Sequence, residues 1–130
     1  MVSKECIGSE QYKGKSIEEI YELLTDNTDG LVIITRGEKE MIYGRKGQPM
    51  KKMNPFSVQV KSTLGAGDTF KAGCIYGLLH GMSDDEIVRF ASACSAIAIS
   101  RFPLPLDPPT LTEVNALLDL MGDCYNKSGN

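Results

Sequence analysis

The chain has 130 residues and a formal net charge of −3, with 42% hydrophobic and 24% charged residues. This size and mixture predict one folded domain over residues 1–130. The slight acidity disfavours a nucleic-acid-binding surface. No apolar stretch reaches the length of a membrane helix, and the first fifteen residues lack the apolar centre of a signal peptide. We therefore expect a cytoplasmic protein with neither nucleic acid nor membrane as a partner.

The first half of the chain predicts one helix followed by strands. Ser16 and Glu19 fit a capping box, which should open a helix that runs to about Leu24. The apolar run 31–35, bounded by glycines, is typical of a strand buried on both faces in a parallel sheet. Two further segments that suit antiparallel strands beside it are 41–43 and 51–61. The second has apolar residues in alternation at Phe56, Val58 and Val60 and a proline at position 55.

The second half predicts three helices. The first should begin near Gly67 and end at Gly81, with Phe70, Cys74, Gly77 and Leu78 at helical spacing. A capping box at 83–86 should open a second helix to about Arg101, rich in small residues that would admit another backbone or a flat ligand. The segment 102–109 holds four prolines and cannot be helical. A capping box at 110–113 should start a third helix to about Leu120, and 123–130 is expected to be a frayed tail.

This order of elements is an α/β layer pattern. A helix directly before the buried strand implies a parallel strand earlier still, and only residues 1–3 could supply it. The sheet is therefore expected to be truncated at its N-terminal side, and its apolar surface is expected to favour self-association.

The four cysteines predict no metal site. Cys6, Cys74, Cys94 and Cys124 form no CxxC pair, and His80 is the only histidine in the sequence. Cys74 and Cys94 lie in apolar helical patterns, so buried, reduced thiols are expected.

The turn that joins 51–61 to the following helix has the composition of a phosphate site. Gly65, Ala66 and Gly67 leave the backbone uncovered at a helix N-terminus, where unpaired N–H groups and the helix dipole favour an anion. No Lys-Ser or Lys-Thr pair follows, so the turn is not a P-loop. Asp68, in the first helical turn, either stabilises that N-terminus or serves as a base beside the phosphate; phosphoryl transfer needs both a cradle and a base.

The segment STLGAGDTF, residues 62–70, resembles the Asp-Thr-x-Gly-Ala-Gly-Asp-Thr-Phe signature of the ribokinase, or PfkB, family of carbohydrate kinases. Thr63 and residues 65–70 match seven of its eight fixed positions. The resemblance continues on both sides and covers nearly the whole chain as the C-terminal portion of a member, and the VSKEC start with GAGDTF is similar to the ketohexokinase-like branch. It implies part of a three-layer α/β/α sandwich.

The resemblance also implies roles for individual residues. Asp68 would be the catalytic base, and Gly65, Ala66 and Gly67 would form the anion hole for the γ-phosphate of ATP. Two further positions would contact the nucleotide: the Thr35–Gly37 turn, which matches two places of Thr-x-Gly-x-x-Gly, and Ser92, which takes the place of an asparagine near the adenine. A strand-end turn at the first and simple packing at the second remain alternatives.

The resemblance implies ATP and Mg²⁺ as cofactors, with the ion held mainly by phosphates and water and no protein metal ligand assigned. Ser62 replaces the aspartate that helps to bind an activating monovalent cation in relatives, so dependence on that cation is not expected to carry over. The N-terminal half that supplies most sugar contacts in full-length members is absent from the chain. Three hypotheses follow: a kinase acting on a sugar or sugar-like alcohol, a nucleotide-binding fragment without catalysis of its own, and a kinase for a nucleoside or vitamin-like alcohol.

Overall fold

The computed structural model of the chain describes residues 1–2, 8–101 and 108–128. They form two compact units, residues 1–55 and residues 56–130, and each is described by itself. The single domain expected over 1–130 therefore stays a prediction. No helix in the described part of the chain is long and apolar enough to cross a bilayer.

The first unit contains a short 3₁₀ helix, one α-helix and a three-stranded sheet. Its elements are the 3₁₀ helix Glu10–Tyr12, helix α1 (Ile17–Asp26), and strands β1 (Val32–Arg36), β2 (Lys39–Gly44) and β3 (Lys51–Met53). Helix α1 begins as predicted, because the Ser16 hydroxyl accepts a hydrogen bond from the Glu19 N–H at 3.2 Å. It ends two residues beyond the predicted Leu24.

The sheet has the order β1-β2-β3, and both pairings are antiparallel. Strand β1 also has a parallel neighbour, since Val2 forms an isolated bridge with Ile34. The Val2 N–H donates to the Ile33 carbonyl at 2.8 Å, and the Thr35 N–H donates to the Val2 carbonyl at 2.9 Å. The predicted parallel partner of β1 is thus present, as one bridge.

The core of this unit is built from large side chains. Ile34 and Ile42 are fully buried, and they form one cluster with Ile20 and Tyr21 of α1 and with Tyr12. The Tyr21 hydroxyl donates to the Gln48 carbonyl at 3.2 Å, which fixes the turn after β2 against α1. The sheet and α1 therefore share one hydrophobic core.

The predicted strand over 51–61 is wrong beyond Met53. Met53 pairs with Met41 at the end of the β2–β3 ladder, and no strand continues from it. Pro55 explains the early end, because a proline has no N–H to donate to the next rung. Val60, expected to alternate inward, is 50% exposed.

The second unit is helical: α2 (Ala66–Leu79), α3 (Asp84–Ile99) and α4 (Leu111–Ser128). Helix α2 ends with a left-handed Gly81 at φ +67°. The Gly81 N–H donates to the Leu78 carbonyl at 3.3 Å and the Met82 N–H to the Gly77 carbonyl at 3.0 Å, which is the Schellman pattern. The predicted stop at Gly81 is confirmed, although Leu78 of the predicted apolar face is 58% exposed.

Helix α3 begins with the predicted capping box. The Ser83 hydroxyl accepts from the Glu86 N–H at 3.3 Å, and the Glu86 carboxylate accepts from the Ser83 N–H at 3.2 Å. The helix ends at Ile99, two residues before the predicted Arg101.

Helices α2 and α3 pack closely because glycine lies between them. A Cβ built on Gly73 would be 2.7 Å from the Ala91 Cα, and one built on Gly77 would be 2.9 Å from Ile87 Cγ1. Ala91 and Ile87 are buried. The small residues of α3 thus admit another backbone, which was one of the two predicted uses.

Helix α4 also starts with its predicted capping box. The Thr110 hydroxyl accepts from the Glu113 N–H at 3.2 Å, and the Glu113 carboxylate accepts from the Thr110 N–H at 3.1 Å. Arg101 forms an ion pair with Glu113, and Val114 packs in a core cluster with Phe90. The helix continues past the predicted Leu120 to Ser128. The frayed tail at 123–130 stays a prediction, and most of the proline segment (102–107) lies outside the described residues.

Two cysteines have side chains that the structure describes, and both agree with the predicted reduced thiols. Cys94 is buried, Cys74 is half-buried, and both are free. Cys6 and the Cys124 side chain lie outside the described residues. The self-association expected from the sheet stays a prediction; α2 carries exposed apolar side chains at Ile75, Leu78 and Leu79.

Candidate active site

The turn before α2 is held by its own hydrogen bonds. The Ser62 hydroxyl accepts from the Leu64 N–H at 3.2 Å, and the Thr63 carbonyl accepts from the Ala66 N–H at 3.2 Å. Gly65 takes the left-handed conformation at φ +80°, which a residue with a side chain rarely adopts. The glycine at this position is therefore a requirement of the turn.

The first turn of α2 leaves N–H groups available to a ligand. The first helical bond runs from the Thr69 N–H to the Gly65 carbonyl at 2.9 Å, and the Thr69 hydroxyl donates to the same carbonyl at 2.9 Å. The N–H groups of Gly67 and Asp68 precede this bond, so they fall outside the helical hydrogen-bond pattern. Two amides and the positive end of the helix dipole thus coincide at one turn.

Asp68 projects from that turn at the edge of a cavity. Its side chain is exposed, and the cavity of about 640 Å³ lies entirely within the second unit. This volume is in the range of small-molecule sites. Among the described residues that line it, Asp68 is the one charged group. A carboxylate therefore lies beside the helix N-terminus and faces a space large enough for a ligand.

The remaining walls of the cavity are largely apolar and aromatic. Tyr76 stacks on Phe90 with ring centroids 4.8 Å apart and on His80 at 3.9 Å. Burial raises the pKa of the Cys94 thiol to about 11, so this lining thiol is neutral at physiological pH. The negative charge of the cavity is therefore concentrated at Asp68. The described lining residues are Leu64, Gly65, Asp68, Thr69, Ala72, Gly73, Tyr76, Phe90, Cys94, Pro108, Pro109, Thr110, Leu111 and Val114.

A smaller cavity of about 380 Å³ lies in the first unit, between α1 and residues 47–50. Three carboxylates of α1 line it, those of Glu18, Glu22 and Asp26. Although Glu18 lies in the first turn of α1, three carboxylates in such a lining repel a phosphate. The cavity at Asp68 is therefore the better candidate for an anionic ligand.

A family model described as pfkB family carbohydrate kinase matches residues 4–109. The chain belongs to the pfkB family of carbohydrate kinases. This match confirms the family predicted from the segment 62–70. The ketohexokinase-like branch within the family stays a prediction.

Individual proteins that are similar to this chain are longer than it. It is 31% identical over 103 residues to 5-dehydro-2-deoxygluconokinase of Shouchella clausii, which covers 78% of this chain and 31% of that protein. The crystal structure of ribokinase from Thermotoga maritima matches with a TM-score of 0.79 and 26% identity, over 90% of this chain and 40% of the other. Ribokinase of Arabidopsis thaliana in complex with ribose and ATP matches with a TM-score of 0.69 and 25% identity, over 79% of this chain and 34% of the other.

These matches confirm the predicted ribokinase-like α/β fold. The chain spans about a third of the length of the curated pfkB relative.

The structure brings together four of the seven residues that the family resemblance assigned to the site. Gly65, Ala66, Gly67 and Asp68 form one continuous turn and helix start. Thr35 and Gly37 belong to the first unit, where Thr35 lies on β1 and Gly37 follows it with φ +67°. Ser92 is buried within α3 at 5% exposure and is not among the residues that line the cavity. Nucleotide contact by Thr35, Gly37 and Ser92 stays a prediction.

The apolar walls of the cavity and the contact from α3 to the turn could not be predicted from the sequence. Tyr76 and Phe90 were visible only as residues of helical patterns, with nothing to place them at one cavity. The Ser95 hydroxyl donates to the Ala66 carbonyl at 3.3 Å, a contact between α3 and the turn. The sequence offered one indication of this contact: Ser95 follows Ile87 and Ala91 at intervals of four residues, about one helical turn, so the three share a helix face.

At Ser62, the position of the first aspartate in the signature that the segment 62–70 resembles, the hydroxyl is used locally. It accepts from Leu64 two residues on, as short polar side chains commonly do in turns. Ser62 thus preserves a hydrogen bond of the turn without bringing a negative charge. Loss of monovalent-cation dependence remains a prediction from this replacement.

Proposed function

We propose that this chain is the phosphate-binding and base-carrying part of an ATP-dependent carbohydrate kinase. The reaction transfers the γ-phosphoryl group of ATP to a hydroxyl of a sugar or sugar-like alcohol and yields ADP and a phosphate ester. The observation that carries the proposal is the placement of the Asp68 carboxylate beside the open amides of the Gly65–Gly67 turn, at the edge of a cavity.

Each part of the turn has a task in this reaction. The amides of Gly67 and Asp68 donate to the oxygens of the transferring phosphoryl group, where negative charge must be stabilised. The Asp68 carboxylate accepts the proton of the attacking hydroxyl as the new O–P bond forms and the bond to ADP breaks. The aspartate is thus both a donor through its backbone and a base through its side chain.

The residues present fit the phosphates of a nucleotide. The N-terminus of α2 offers amides from a turn that is itself closed by the bonds of Ser62 and Thr63. Mg²⁺ would neutralise charge on the nucleotide phosphates. In the described part of the chain no three His, Cys, Asp or Glu side chains are grouped for a metal ion, so the ion would be held mainly by phosphates and water.

The substrate class rests on the family and its members. The Arabidopsis ribokinase structure contains ribose and ATP, and the Shouchella relative is a 5-dehydro-2-deoxygluconokinase. Both names describe kinases, and the Arabidopsis structure has a sugar bound. A nucleoside or vitamin-like alcohol is the alternative substrate that keeps the same base and the same phosphate donor.

A second function is favoured by the length of the chain relative to its relatives. The chain spans about a third of the Shouchella protein, and alignment of the hydroxyl with the γ-phosphate requires contacts to the sugar as well. A chain that binds ATP without turnover of its own is therefore the alternative, and it shares the same phosphate turn.

Two measurements test this proposal. Thermal unfolding with ATP and Mg²⁺ should show a higher melting temperature, since a ligand at 100 times its Kd stabilises by about 2.7 kcal/mol. ADP release is then measured across a panel of sugars. ATP binding with turnover supports the kinase, and binding without turnover supports the alternative. A chain that does not bind ATP refutes both.

The base assignment is tested with Asp68→Asn. This variant should retain ATP binding and lose about 10²–10⁴ in turnover, because the amide cannot accept the proton. Asp119→Asn is the matched control, since Asp119 is an exposed carboxylate of α4 that does not line the cavity. Unchanged turnover in Asp68→Asn would show that another group is the base. If the chain alone does not turn over, ATP binding that weakens in Asp68→Asn but not in the control would place the carboxylate in a binding role instead.

A further inference from the structure

A hydrogen bond from α3 reaches the candidate phosphate site. The Ser95 hydroxyl donates to the Ala66 carbonyl at 3.3 Å. Ala66 is the first residue of α2 and the middle residue of the Gly65–Gly67 turn. It joins α3 to the Gly65–Gly67 segment itself, whereas the N–H groups of Lys61 and Ser62, just before that segment, donate to the Ile99 carbonyl at the end of α3.

Ser95 belongs to a row of α3 residues that face α2. Ile87 and Ala91 precede it at intervals of four residues, and they contact Gly77 and Gly73 of α2. The two helices are antiparallel, so the row proceeds from their connecting turn towards the phosphate turn. Its first two members pack by apolar contact, and its third makes a hydrogen bond. An alanine would suffice for packing at this position, whereas the serine adds a hydrogen bond from α3 to the Ala66 carbonyl.

We propose that Ser95 is a positioning residue for the phosphate site, which rests on the proposed function. Ala66 lies between two glycines, whose backbones have the widest conformational freedom. Its carbonyl belongs to the peptide unit that carries the Gly67 N–H. A bond to that carbonyl therefore also fixes the direction of the neighbouring amide. Donors aimed in advance are worth more than donors that must reorient during the reaction.

The two Thr69 hydrogen bonds restrain the same turn from within α2. Its N–H and its hydroxyl both donate to the Gly65 carbonyl at 2.9 Å. The Gly65 carbonyl is thus held by α2 itself, and the Ala66 carbonyl, which already accepts within α2, receives a further bond from α3. The Ser95 bond is the part that depends on a second helix, so it can be removed without altering the sequence of the turn.

The first test compares two nucleotides that differ in their phosphates. The dissociation constants of ATP and AMP, each with Mg²⁺, are measured by calorimetry. For Ser95→Ala we expect ATP to bind about fivefold more weakly, the equivalent of one net hydrogen bond, and AMP to bind unchanged. Ser95→Thr, which keeps the hydroxyl, should restore ATP affinity. Equal weakening of both nucleotides would indicate a merely structural role and overturn the proposal.

Ser100→Ala is the matched control for loss of a serine hydroxyl. Ser100 follows α3, and its hydroxyl donates to the Ile97 carbonyl at 2.7 Å and not to the Gly65–Gly67 turn. This variant should bind ATP as the unchanged chain does. A similar loss of ATP affinity in Ser100→Ala would contradict a specific effect of Ser95.

The second test needs no nucleotide. Hydrogen exchange of the Thr69 amide, which is bonded to Gly65, should become about fivefold faster in Ser95→Ala. The Met82 amide at the opposite end of the helix pair should be unaffected. Unchanged exchange at Thr69 would refute the role of Ser95. If the unchanged chain does not bind ATP, the proposed function fails, and this exchange result alone decides whether Ser95 holds the turn.

Discussion

The two compact units bury their helices in opposite ways. In the first unit α1 and the sheet enclose large side chains, with Ile34 and Ile42 fully buried at the centre. In the second unit α2 meets α3 at Gly73 and Gly77, where the facing residue is Ala91 or Ile87. The packing of α1 on the sheet depends on large side chains that fill the core. The packing of α2 on α3 depends on the absence of side chains at the two glycines. The two units should therefore respond to opposite kinds of substitution.

The largest effect is expected from removal of volume in the first unit. Ile34→Ala deletes atoms from a fully buried position on β1 and should lower the free energy of unfolding by about 2–5 kcal/mol. Ile34→Val is the matched control, with an expected loss of about 0.5–1.5 kcal/mol. Guanidinium unfolding measures the loss, and hydrogen exchange shows whether it is confined to residues 1–55. Equal losses in the two variants would mean that the site collapses around the smaller side chain.

A smaller effect is expected from addition of volume in the second unit. Gly73→Ala places a methyl group against the Ala91 backbone, an overpacking cost of about 1–3 kcal/mol. The gain in helix propensity offsets about 1 kcal/mol of it. Gly77→Ala is the comparison variant, because its methyl group meets the Ile87 side chain at 2.9 Å and not backbone, and it should cost less than Gly73→Ala. Thermal unfolding of both variants checks the order. Stabilisation by Gly73→Ala would show that the helices can separate without loss.

The smallest effect should be the same in both units. Ser16 and Ser83 each accept one hydrogen bond at a helix N-terminus, at 3.2 and 3.3 Å. Ser16→Ala and Ser83→Ala should each cost about 1 kcal/mol, and the corresponding Asp variants should stay close to the original stability. Urea unfolding provides the measurement. A clear difference between the two alanine variants would mean that the type of core also controls the helix ends.

Local chemistry allowed much of the fold to be predicted from the sequence. Ser83 and Thr110 marked two helix starts because a cap and its partner lie three residues apart. The strand at 32–36 followed from an apolar run between glycines. The end of β3 was missed because the alternation beyond Pro55 imitates a strand, while the proline prevents one.

Contacts between distant residues were beyond the sequence. Gly73 and Gly77 occupy ordinary helical positions, and only the structure shows that α3 approaches there. The candidate site shows the same difference between local features and contacts between distant residues. The turn at 65–68 could be predicted from its glycines and its likeness to a family signature, whereas its cavity depends on Tyr76, Phe90 and the start of α4. The bond from Ser95, 29 residues from Ala66, belongs to this second class.

The antiparallel pair of α2 and α3 has a consequence for the entropy of the site. Contacts near the Gly81 turn, such as Gly77 with Ile87, close a short loop. The contact of Ala66 with Ser95 closes a loop of 29 residues, and loop closure becomes more costly with length. The glycine-rich turn therefore lies at the end of the helix pair that is farthest along the chain from the connecting turn, where contacts are expected to form last. Formation of the proposed phosphate site therefore has a higher entropic cost than formation of the Gly77–Ile87 contact near the connecting turn.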